Sequence, residues 1–344
     1  MRAVVIHAAK DLRIADVETG EPGPREVRVR IEAGGICGSD LHYFHEGRIG
    51  TIVLKEPMIL GHEVAGRIES VGAGVTNVKP GDRVAVNPSR PCGTCSYCQS
   101  GQQIHCLDMR FYGSAMRFPH VQGAFRETLI ADAAQCFPVS PNLSAGEAAM
   151  AEPFAVCLHA VNRAGPLLGK RVLVTGSGPI GALSVLAARR AGAAEIVATD
   201  LSDAPAAIVQ QLGADRFVNV AKATTWTTEF SANKGTFDVL LEATGSDKAL
   251  AQAFDVVRPR GIIVQVGIGG IGSLPLNMIV AKEFDLRGTF RFHEEFALAV
   301  TLISKRLVDV RPLITETFKI ADARAAFDLA SDRSRAMKVQ LAFA

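Results

Sequence analysis

Four cysteines stand close together in the first half of the chain: Cys92, Cys95, Cys98 and Cys106. Their spacing is C-x2-C-x2-C-x7-C, within PCGTCSYCQSGQQIHC. Four thiolates form a closed tetrahedral shell for Zn²⁺ and leave no position for a substrate. We therefore predict a structural zinc that holds a long loop together.

A zinc ribbon that binds nucleic acid is the alternative interpretation of this segment. Such a ribbon needs basic and aromatic side chains nearby, and the segment supplies only Arg90, Tyr97 and Arg110. The net charge of +2 also gives the protein no global field to attract a polyanion. We therefore expect neither nucleic acid nor an acidic membrane surface as a partner.

A second, sparser group of metal-binding residue types precedes the cysteine cluster. Cys37 stands in GGICGSD, and His62 and Glu63 stand in LGHEVAG. A mixed set of this size leaves one coordination position open, where zinc can bind and polarise a substrate oxygen. Asp40 is the candidate acceptor for the second ring nitrogen of His62, because such a bond fixes a ligand histidine. These residues predict a catalytic zinc site.

A glycine-rich loop, GSGPIG, adds a third group of candidate residues. It follows the apolar run RVLVT and opens a helical pattern, as a dinucleotide-binding turn requires. Gly176 allows the tight turn, Gly178 the approach of a pyrophosphate, and Gly181 close helix packing, with the helix N-terminus facing the phosphates. Asp200 ends the next strand, where an acid bonds the adenosine ribose and repels a 2′-phosphate, which favours NAD over NADP. The candidate cofactor residues here are Gly176, Gly178, Pro179, Ile180, Gly181 and Asp200.

The composition is that of a globular protein. The chain has 344 residues, of which 48% are hydrophobic and 21% charged, and this length suits about two domains. The N-terminus lacks the layout of a signal peptide, and no apolar run reaches the ~18 residues of a membrane span. Seven cysteines arranged in this way are expected to stay reduced, so we expect a cytoplasmic protein.

Two kinds of hydrophobic pattern divide the chain. Up to about residue 148, stretches such as EVRVRIEA alternate apolar and polar residues, which predicts antiparallel strands in a compact barrel. RVLVTG, EIVATD, FDVLLEATG and GIIVQVG then alternate with helical segments, which predicts a doubly wound parallel sheet. The expected fold is α/β, with the barrel domain at residues 1–148 and 282–344 and the dinucleotide-binding domain at 149–281.

These motifs also carry a family resemblance. GHEVAGRIESVGAGV fits G-H-E-x2-G-x5-G-x2-V, and GICGSDLHYF carries a Ser-Asp-x-His-Tyr run after the cysteine. Over essentially its whole length the chain resembles the zinc-containing medium-chain alcohol dehydrogenases, in particular their polyol and sorbitol dehydrogenase branch. MRFYGSAMRFPHVQGAF, AEPFAV and GSGPIGAL are similar, more narrowly, to the L-idonate 5-dehydrogenases. The resemblance implies a GroES-like barrel joined to a Rossmann domain, with one catalytic and one structural zinc per subunit.

The resemblance implies further roles by position. The three residues of the open site match the catalytic zinc ligands of the polyol branch, and Glu152 matches a glutamate that contacts the zinc water and could accept a proton. Ser39 and His42 match a proton relay from the substrate hydroxyl through the cofactor ribose to solvent. An exposed helix-terminal acid before Pro153 is the alternative interpretation of Glu152, and a surface histidine is the alternative for His42.

Substrate and nicotinamide contacts are implied in the same way. Tyr43, Phe111 and Arg291 match positions that line the substrate pocket, and the guanidinium of Arg291 would suit the carboxylate of a sugar acid. The whole branch shares the FRF segment, so this arginine does not by itself select an acid over a neutral polyol. The segment that matches the family's nicotinamide-flanking residues comprises Val266, Gly267 and Ile268; it also reads as the end of a buried strand, and both interpretations can hold.

Together these features predict an NAD-dependent zinc dehydrogenase acting on a secondary alcohol of a sugar acid or polyol. Sorbitol, xylitol, butanediol or threonine dehydrogenases would use the same machinery and remain alternatives. A non-catalytic zinc- and nucleotide-binding protein is the alternative from a different class, and the joint presence of Cys37, His62, Glu63 and Glu152 argues against it. The resemblance also implies a homodimer or homotetramer.

Overall fold

The computed structural model describes residues 1–269 and 272–343. The chain forms two compact units: Met1–Glu152 with Phe296–Ala344, and Pro153–Glu295. The first observed division falls a few residues after the expected boundary at residue 148, and the second falls about one short helix later than the expected boundary at residue 282. Residues 282–295, which we expected in the first unit, therefore belong to the second.

The strands and helices follow the chain in this order. The strands are β1 Arg2–Ala8, β2 Asp11–Asp16, β3 Glu26–Gly35, β4 Arg48–Ile49, β5 Ile52–Val53, β6 Met58–Ile59, β7 Glu63–Val71, β8 Arg83–Val86, β9 Ser89–Arg90, β10 Arg110–Phe111, β11 Thr128–Asp132, β12 Cys136–Pro138, β13 Arg171–Thr175, β14 Glu195–Asp200, β15 Arg216–Asn219, β16 Phe237–Glu242, β17 Val257–Gln265, β18 Asp285–Gly288, β19 Ile314–Lys319 and β20 Lys338–Ala342. The helices are α1 Gly38–Glu46, α2 Ser96–Gln99, α3 Ala145–Ala149, α4 Ala151–Ala164, α5 Pro179–Arg190, α6 Ala206–Gln211, α7 Trp226–Phe230, α8 Asp247–Val256, α9 Leu276–Lys282, α10 Glu295–Ser304 and α11 Ala323–Ser331.

The first unit is built on a mostly antiparallel sheet. Its strand order is β12-β8-β7-β3-β20-β19, and β11 also pairs with β3. Strand β3 confirms the alternation expected for EVRVRIEA, because Val27, Val29 and Ile31 are fully buried while the residues between them are not. These three side chains belong to the core of the unit.

The C-terminal residues complete this sheet, as we expected for the tail of the chain. Strand β20 pairs antiparallel with β3, in the register Gln340 opposite Gly35, and parallel with β19. The central strand β3 therefore pairs with β7 on one side and with the last strand, β20, on the other. This arrangement places the beginning of β20 beside the beginning of β7.

The second unit is a six-stranded parallel sheet, as expected from the alternating strands and helices. Its strand order is β15-β14-β13-β16-β17-β18. The chain moves outward from β13 to β15 and then restarts on the other side of β13 with β16. Parallel sheets of this order bind ligands at the carboxyl ends of the strands, where the order reverses. In this unit those ends are Thr175 of β13 and Glu242 of β16.

Two strands of this sheet were not apparent from the sequence. Strands β15 and β18 have four residues each, RFVN and DLRG, and lie at the two edges of the sheet. A short edge strand buries little apolar surface, so its hydrophobic pattern is weak. The pairing of β18 with β17 explains why residues 285–288 lie in the second unit. In the ranges that the structure describes, no helix combines the length and apolar character needed to cross a membrane.

Candidate active site

Helix α1 positions Cys37. This residue is the N-cap of the helix, and its backbone N–H donates to Oδ2 of Asp40 at 3.0 Å. Its sulfur accepts from the backbone of the first helical turn, and the side chain of Ser39 also hydrogen-bonds to it. Strand β3 ends two residues earlier, so the thiol lies where the sheet gives way to a helix N-terminus. Such positions favour a thiolate.

Burial opposes that thiolate. Burial, and after it the charge of Glu63, raise the pKa of the Cys37 thiol far above its usual range. A buried thiolate is stable only with a compensating positive charge beside it. The position therefore suits a metal ligand better than a free thiol.

His62 and Glu63 stand where strand β7 begins, and they are 5% and 1% exposed. Oδ1 of Asp40 accepts the backbone N–H of Gly61 at 3.1 Å and lies 3.8 Å from Nδ1 of His62. The hydrogen bond that we expected between Asp40 and His62 is therefore not formed, because 3.8 Å is too long. Asp40 instead ties the N-cap of α1 to the turn before β7.

The three candidate ligands converge on one point. Sγ of Cys37, a ring nitrogen of His62 and a carboxylate oxygen of Glu63 all lie within 4.8 Å of one another. Nδ1 of His62 is buried and has no hydrogen-bond partner among the described residues. One thiolate, one imidazole and one carboxylate fit Zn²⁺ and leave a fourth tetrahedral position for a substrate or water. These residues form a Cys/His/Glu catalytic metal site.

A buried lysine that sequence analysis missed completes this centre. Nζ of Lys338 lies 2.8 Å from each carboxylate oxygen of Glu63 and 3.1 Å from the carbonyl oxygen of Ile36. Its side chain is 3% exposed. Burial by itself would lower the pKa of Lys338, but the charges of Glu63, Cys37 and Glu152 and the hydrogen bond to Glu63 together outweigh it, so the pKa is raised. Lys338 is therefore a buried ammonium that orients a metal ligand.

The close approach of Glu63 to strand β3 requires a glycine. A Cβ atom on Gly35 would lie 2.2 Å from Oε2 of Glu63, because the two residues are directly opposite each other in the pairing of β3 with β7. Any other residue at position 35 would displace the carboxylate from Lys338. In the GGIC segment, Gly35 therefore leaves space for the ligand Glu63, and Cys37, two residues later, is itself a candidate ligand.

Glu152 and Phe111 lie beside the metal ligands. Glu152 is 5% exposed in the first turn of α4, so its interpretation as an exposed acid is wrong. Burial raises the pKa of the Glu152 carboxyl well above its usual range; the nearby His62 opposes this rise and Glu63 adds to it. The buried ring of Phe111 lies 5.3 Å from the ring of His62. The structure thus brings these two candidates next to the site.

The remaining candidates on α1 have different surroundings. Tyr43 is fully buried, and its hydroxyl accepts the backbone N–H of Ala115 at 3.0 Å. His42 is exposed, and its Nδ1 lies 3.3 Å from a carboxylate oxygen of Glu46. This contact is what the surface interpretation of His42 expects. The relay role of Ser39 and His42 remains a prediction.

The four clustered cysteines form a second metal site. Their sulfur atoms lie within 4.8 Å of one another. The backbone N–H groups of Cys92 and Asp108 donate to Sγ of Cys106, at 3.1 and 3.3 Å, and that of Cys95 donates to Sγ of Cys92 at 3.4 Å. Hydrogen bonds from Thr94 lower the pKa of the Cys92 thiol to about 6. Four such donors fit a structural zinc, and the short β9–β10 pair brackets the segment that they close.

The glycine-rich loop has the geometry expected of a dinucleotide-binding turn. Gly176 has φ = +80° and directly follows β13, and Gly178 is the N-cap of α5, with Pro179 and Ile180 as the first two helical residues. A Cβ atom on Gly181 would lie 1.7 Å from the carbonyl oxygen of Gly176, whereas one on Gly178 would meet nothing within 4 Å. The loop therefore packs tightly at its last glycine and is open at its middle glycine.

Asp200 is the last residue of β14 and lies next to this loop. One oxygen of its carboxylate accepts the N–H of Ser177 at 2.8 Å, and the other accepts the N–H of Ser202 at 3.1 Å. Its side chain is thereby fixed at the carboxyl edge of the sheet. A carboxylate held there suits the ribose hydroxyls of the adenosine half of a dinucleotide.

The segment of Val266, Gly267 and Ile268 follows β17 at the same edge. The N–H groups of Val266 and Gly267 both donate to the carbonyl oxygen of Glu242, at 2.8 Å each. Ile268 is 83% exposed. The interpretation of this segment as the end of a buried strand therefore does not extend to Ile268, and the nicotinamide-flanking role remains a prediction.

The segment that carries Arg291 is anchored by a buried acid. Glu295 accepts from Nδ2 of Asn162 at 3.0 Å and from the N–H of His293 at 3.1 Å, and lies 2.9 Å from Nδ1 of His159. Arg291 has φ = +54°, and its guanidinium lies 4.8 Å from the ring of Phe290. The backbone around the arginine is therefore fixed within the second unit.

A structural zinc set, an open metal site and a dinucleotide fold in one chain define a class of protein. Residues 23–141 match the alcohol dehydrogenase GroES-like domain, and residues 179–305 match the zinc-binding dehydrogenase domain. The chain belongs to the zinc-containing medium-chain alcohol dehydrogenase family. It is accordingly an NAD(P)-dependent oxidoreductase of CH–OH groups, within the polyol and sugar-acid dehydrogenases.

Individual relatives cover nearly the whole chain. An L-idonate 5-dehydrogenase (NAD(P)(+)) of Escherichia coli is 42% identical over 92% of this chain and 91% of its own length. A sorbitol dehydrogenase of Gallus gallus is 36% identical over 98% of this chain and 95% of its own length. The crystal structure of L-idonate 5-dehydrogenase from Escherichia coli superposes with a TM-score of 0.94, at 39% identity, over 99% of this chain and 97% of that chain.

The Lys338–Glu63 pair leads to a prediction about stability. Lys338→Met should lower the free energy of unfolding of the metal-free protein by about 3–5 kcal/mol, because it leaves a buried carboxylate without its partner. The double variant Glu63→Gln/Lys338→Met should recover part of the loss, since it removes both charges. Chemical denaturation monitored by circular dichroism measures both. Equal losses in the single and double variants would show that the pair is not coupled.

The glycine loop leads to a second prediction, with two matched variants. Gly181→Ala should lower the melting temperature, because its methyl group would collide with the Gly176 carbonyl. Gly178→Ala should keep the melting temperature but weaken dinucleotide binding by about tenfold or more, since its methyl group occupies the space that a pyrophosphate approaches. Calorimetric titration with NAD and thermal unfolding separate the two effects. Undiminished NAD binding by Gly178→Ala would place the pyrophosphate elsewhere.

Proposed function

We propose that this protein oxidises a secondary alcohol of a sugar acid of the L-idonate type, with NAD as hydride acceptor. The observation that carries the proposal is the buried, open Cys37–His62–Glu63 centre with Phe111 against its histidine ring. The similarity to L-idonate 5-dehydrogenase over 92% of the chain supports the substrate class. A zinc ion held there would act as a Lewis acid on the substrate oxygen, and NAD would take up the hydride.

The side chains around the centre would move the proton that the alcohol loses. Glu152 is buried beside the ligands, and burial raises the pKa of its carboxyl, so it is suited to hold a proton near neutral pH. Ser39 hydrogen-bonds to Cys37. His42 lies three residues after Ser39 in the same helix, α1, and its side chain is exposed to solvent. We assign Ser39 and His42 to a relay that passes the proton outward.

We propose that two aromatic side chains and an arginine contact the substrate. Phe111 and Tyr43 are buried, and Phe111 lies against a metal ligand, so it would contact the carbon chain of the substrate. Arg291, on its anchored segment, would pair with the carboxylate of a sugar acid. Its stacking on Phe290 would keep the guanidinium oriented.

A neutral polyol is the second candidate substrate. A sorbitol dehydrogenase matches 98% of the chain at 36% identity, only slightly below the idonate relative. The FRF segment with Arg291 resembles the polyol branch as a whole, so charge at this position is compatible with both substrates. The metal centre and the proton relay would serve either one.

The cofactor preference that we propose is NAD over NADP. Asp200 is fixed by Ser177 and Ser202 at the position where a 2′-phosphate would approach. Asp203 lies three residues after Asp200, and its carboxylate accepts a hydrogen bond from Nζ of Lys222. Lys222 is thus already paired, and two carboxylates disfavour an additional phosphate.

We also propose a homo-oligomer, a dimer or tetramer, that resides in the cytoplasm. Strand β18 ends the parallel sheet, and Leu286 on it is 41% exposed. An edge strand with an exposed apolar side chain is a natural site for pairing with a second copy. Free cysteines, seven in the described chain, suit a reducing compartment. Light scattering of the purified protein gives the number of subunits.

A substrate panel tests the proposed function directly. L-idonate, D-gluconate, sorbitol, xylitol, 2,3-butanediol and L-threonine should be offered with NAD and with NADP, and nicotinamide reduction followed at 340 nm. We expect the highest kcat/KM for L-idonate with NAD. A higher value for sorbitol would favour the neutral-polyol candidate. No turnover of any alcohol by protein containing two zinc ions would overturn the proposal.

Two cysteine variants test the division of labour between the metal sites. Cys37→Ser should reduce kcat by about 10³-fold or more but leave NAD binding intact, because it removes a ligand of the open site. Cys95→Ser should chiefly lower the melting temperature, because it opens the closed four-thiolate shell. Zinc content by mass spectrometry, calorimetric NAD titration and thermal unfolding distinguish the two. Normal turnover by Cys37→Ser would remove this residue from the mechanism.

A further inference from the structure

A buried acid that the proposed mechanism does not use lies at the carboxyl edge of the parallel sheet. Glu242 ends strand β16 and is 0% exposed. Oε1 accepts hydrogen bonds from the backbone N–H of Thr244, at 2.8 Å, and from the hydroxyl of the same residue. It also accepts a longer hydrogen bond from the hydroxyl of Thr175, at 3.4 Å. Oε2 accepts the N–H of Gly245 at 3.0 Å and Nε2 of Gln265 at 2.5 Å.

These contacts are those of an ionised carboxylate. The backbone and amide partners can only donate, and the two hydroxyls can also donate, so both oxygens act as acceptors throughout. None of the ion pairs found in the second unit within residues 153–269 and 272–295 involves Glu242. Among these residues its negative charge is therefore stabilised by neutral hydrogen-bond donors and not by an ion pair.

The position of this charge relates it to one half of the cofactor. Strand β13 leads into the glycine loop, and β14 ends at Asp200, so the strands on this side form the adenosine half of the fold. Strand β16 begins the other half, which binds the second mononucleotide. Gln265 links the Glu242 carboxylate to the carbonyl oxygen of Gly267, at 2.9 Å, in the segment proposed to flank the nicotinamide.

We propose that Glu242 is a positioning and charge-matching residue that strengthens the binding of the oxidised cofactor relative to that of the reduced one. The oxidised nicotinamide ring carries a positive charge, and the reduced ring is neutral. A buried anion at the carboxyl edge of the sheet in that half lowers the energy of the cationic ring more than that of the neutral ring.

This inference rests on the proposed use of a nicotinamide dinucleotide, but it concerns only cofactor binding. The tight packing around Glu242 supports a fixed distance between the charge and the ring. A Cβ atom on Gly267 would lie 2.2 Å from the backbone nitrogen of Gly245, and one on Gly245 would lie 2.7 Å from the carbonyl oxygen of Ile268. The backbone at Gly245 and the backbone at Gly267–Ile268 therefore pack too closely to admit a side chain between them.

The test compares the dissociation constants of the two redox forms in Glu242→Gln and the unaltered protein, at equal zinc content. The glutamine has the same shape and no charge. We expect the dissociation constant of NAD⁺, measured by calorimetry, to rise about three- to tenfold more than that of NADH, measured by fluorescence. Equal changes for the two forms would overturn the proposal and leave Glu242 a merely structural role.

Two controls separate charge from structure. Gln265→Leu keeps the charge and removes one hydrogen-bond partner, so it should change the affinities for NAD⁺ and NADH by the same factor. ADP-ribose, which lacks the nicotinamide ring, should bind Glu242→Gln as tightly as it binds the unaltered protein. If the unaltered protein binds neither ADP-ribose nor NAD⁺, the proposed function fails; if it binds both and the redox ratio does not move, only the present inference fails.

A measurement on the unaltered protein keeps the proposal testable if Glu242→Gln does not fold. An NAD analogue with an uncharged benzamide ring has the shape of NAD⁺ without the pyridinium charge. We expect it to bind about three- to tenfold more weakly than NAD⁺. Equal affinity for the charged and uncharged rings would show that the negative charge of Glu242 does not act on the nicotinamide ring, and it would overturn the proposal.

Discussion

The first unit depends on one constraint: several acidic side chains are buried around the candidate metal site. Cys37, Glu63 and Glu152 are brought together inside the protein, and burial raises the pKa of the Cys37 thiol and of the Glu152 carboxyl. One buried ammonium, Lys338, provides opposing charge, and a metal ion held by Cys37, His62 and Glu63 would provide the rest. The pairing of β7, β3 and β20 serves this balance, because it places the beginnings of β7 and β20 on either side of the glycine that ends β3.

The second unit also contains a buried carboxylate, that of Glu242, which accepts hydrogen bonds from neutral donors. Glu242 is as deeply buried as Glu63, but its carboxylate is satisfied by backbone N–H groups, hydroxyls and an amide. A charge stabilised by dipoles keeps its external field, whereas a charge paired with an ammonium largely loses it. Two acids of equal burial thus have different uses: Glu63 presents ligand atoms to a metal, and Glu242 imposes a potential on a binding site.

The two metal sites differ in how the chain supplies their ligands. The four cysteines come from one short segment, so local turns bring the thiols together and backbone N–H groups stabilise them. The open site takes Cys37 from a helix N-terminus and His62 and Glu63 from a strand. A site assembled from separate elements needs additional support, and here Asp40 and Lys338 connect those elements.

The sequence by itself determined the metal ligands, the glycine loop and the strand–helix order, because each depends on residue types at short, fixed spacing. It could not reveal Lys338, which reads as a surface lysine at the start of a strand but pairs with an acid 275 residues earlier. Nor could it place β18 in the parallel sheet or show that Glu152 is buried. Only the tertiary structure decided these features, because strand pairing between distant segments determines which charges are removed from water and which partners they meet.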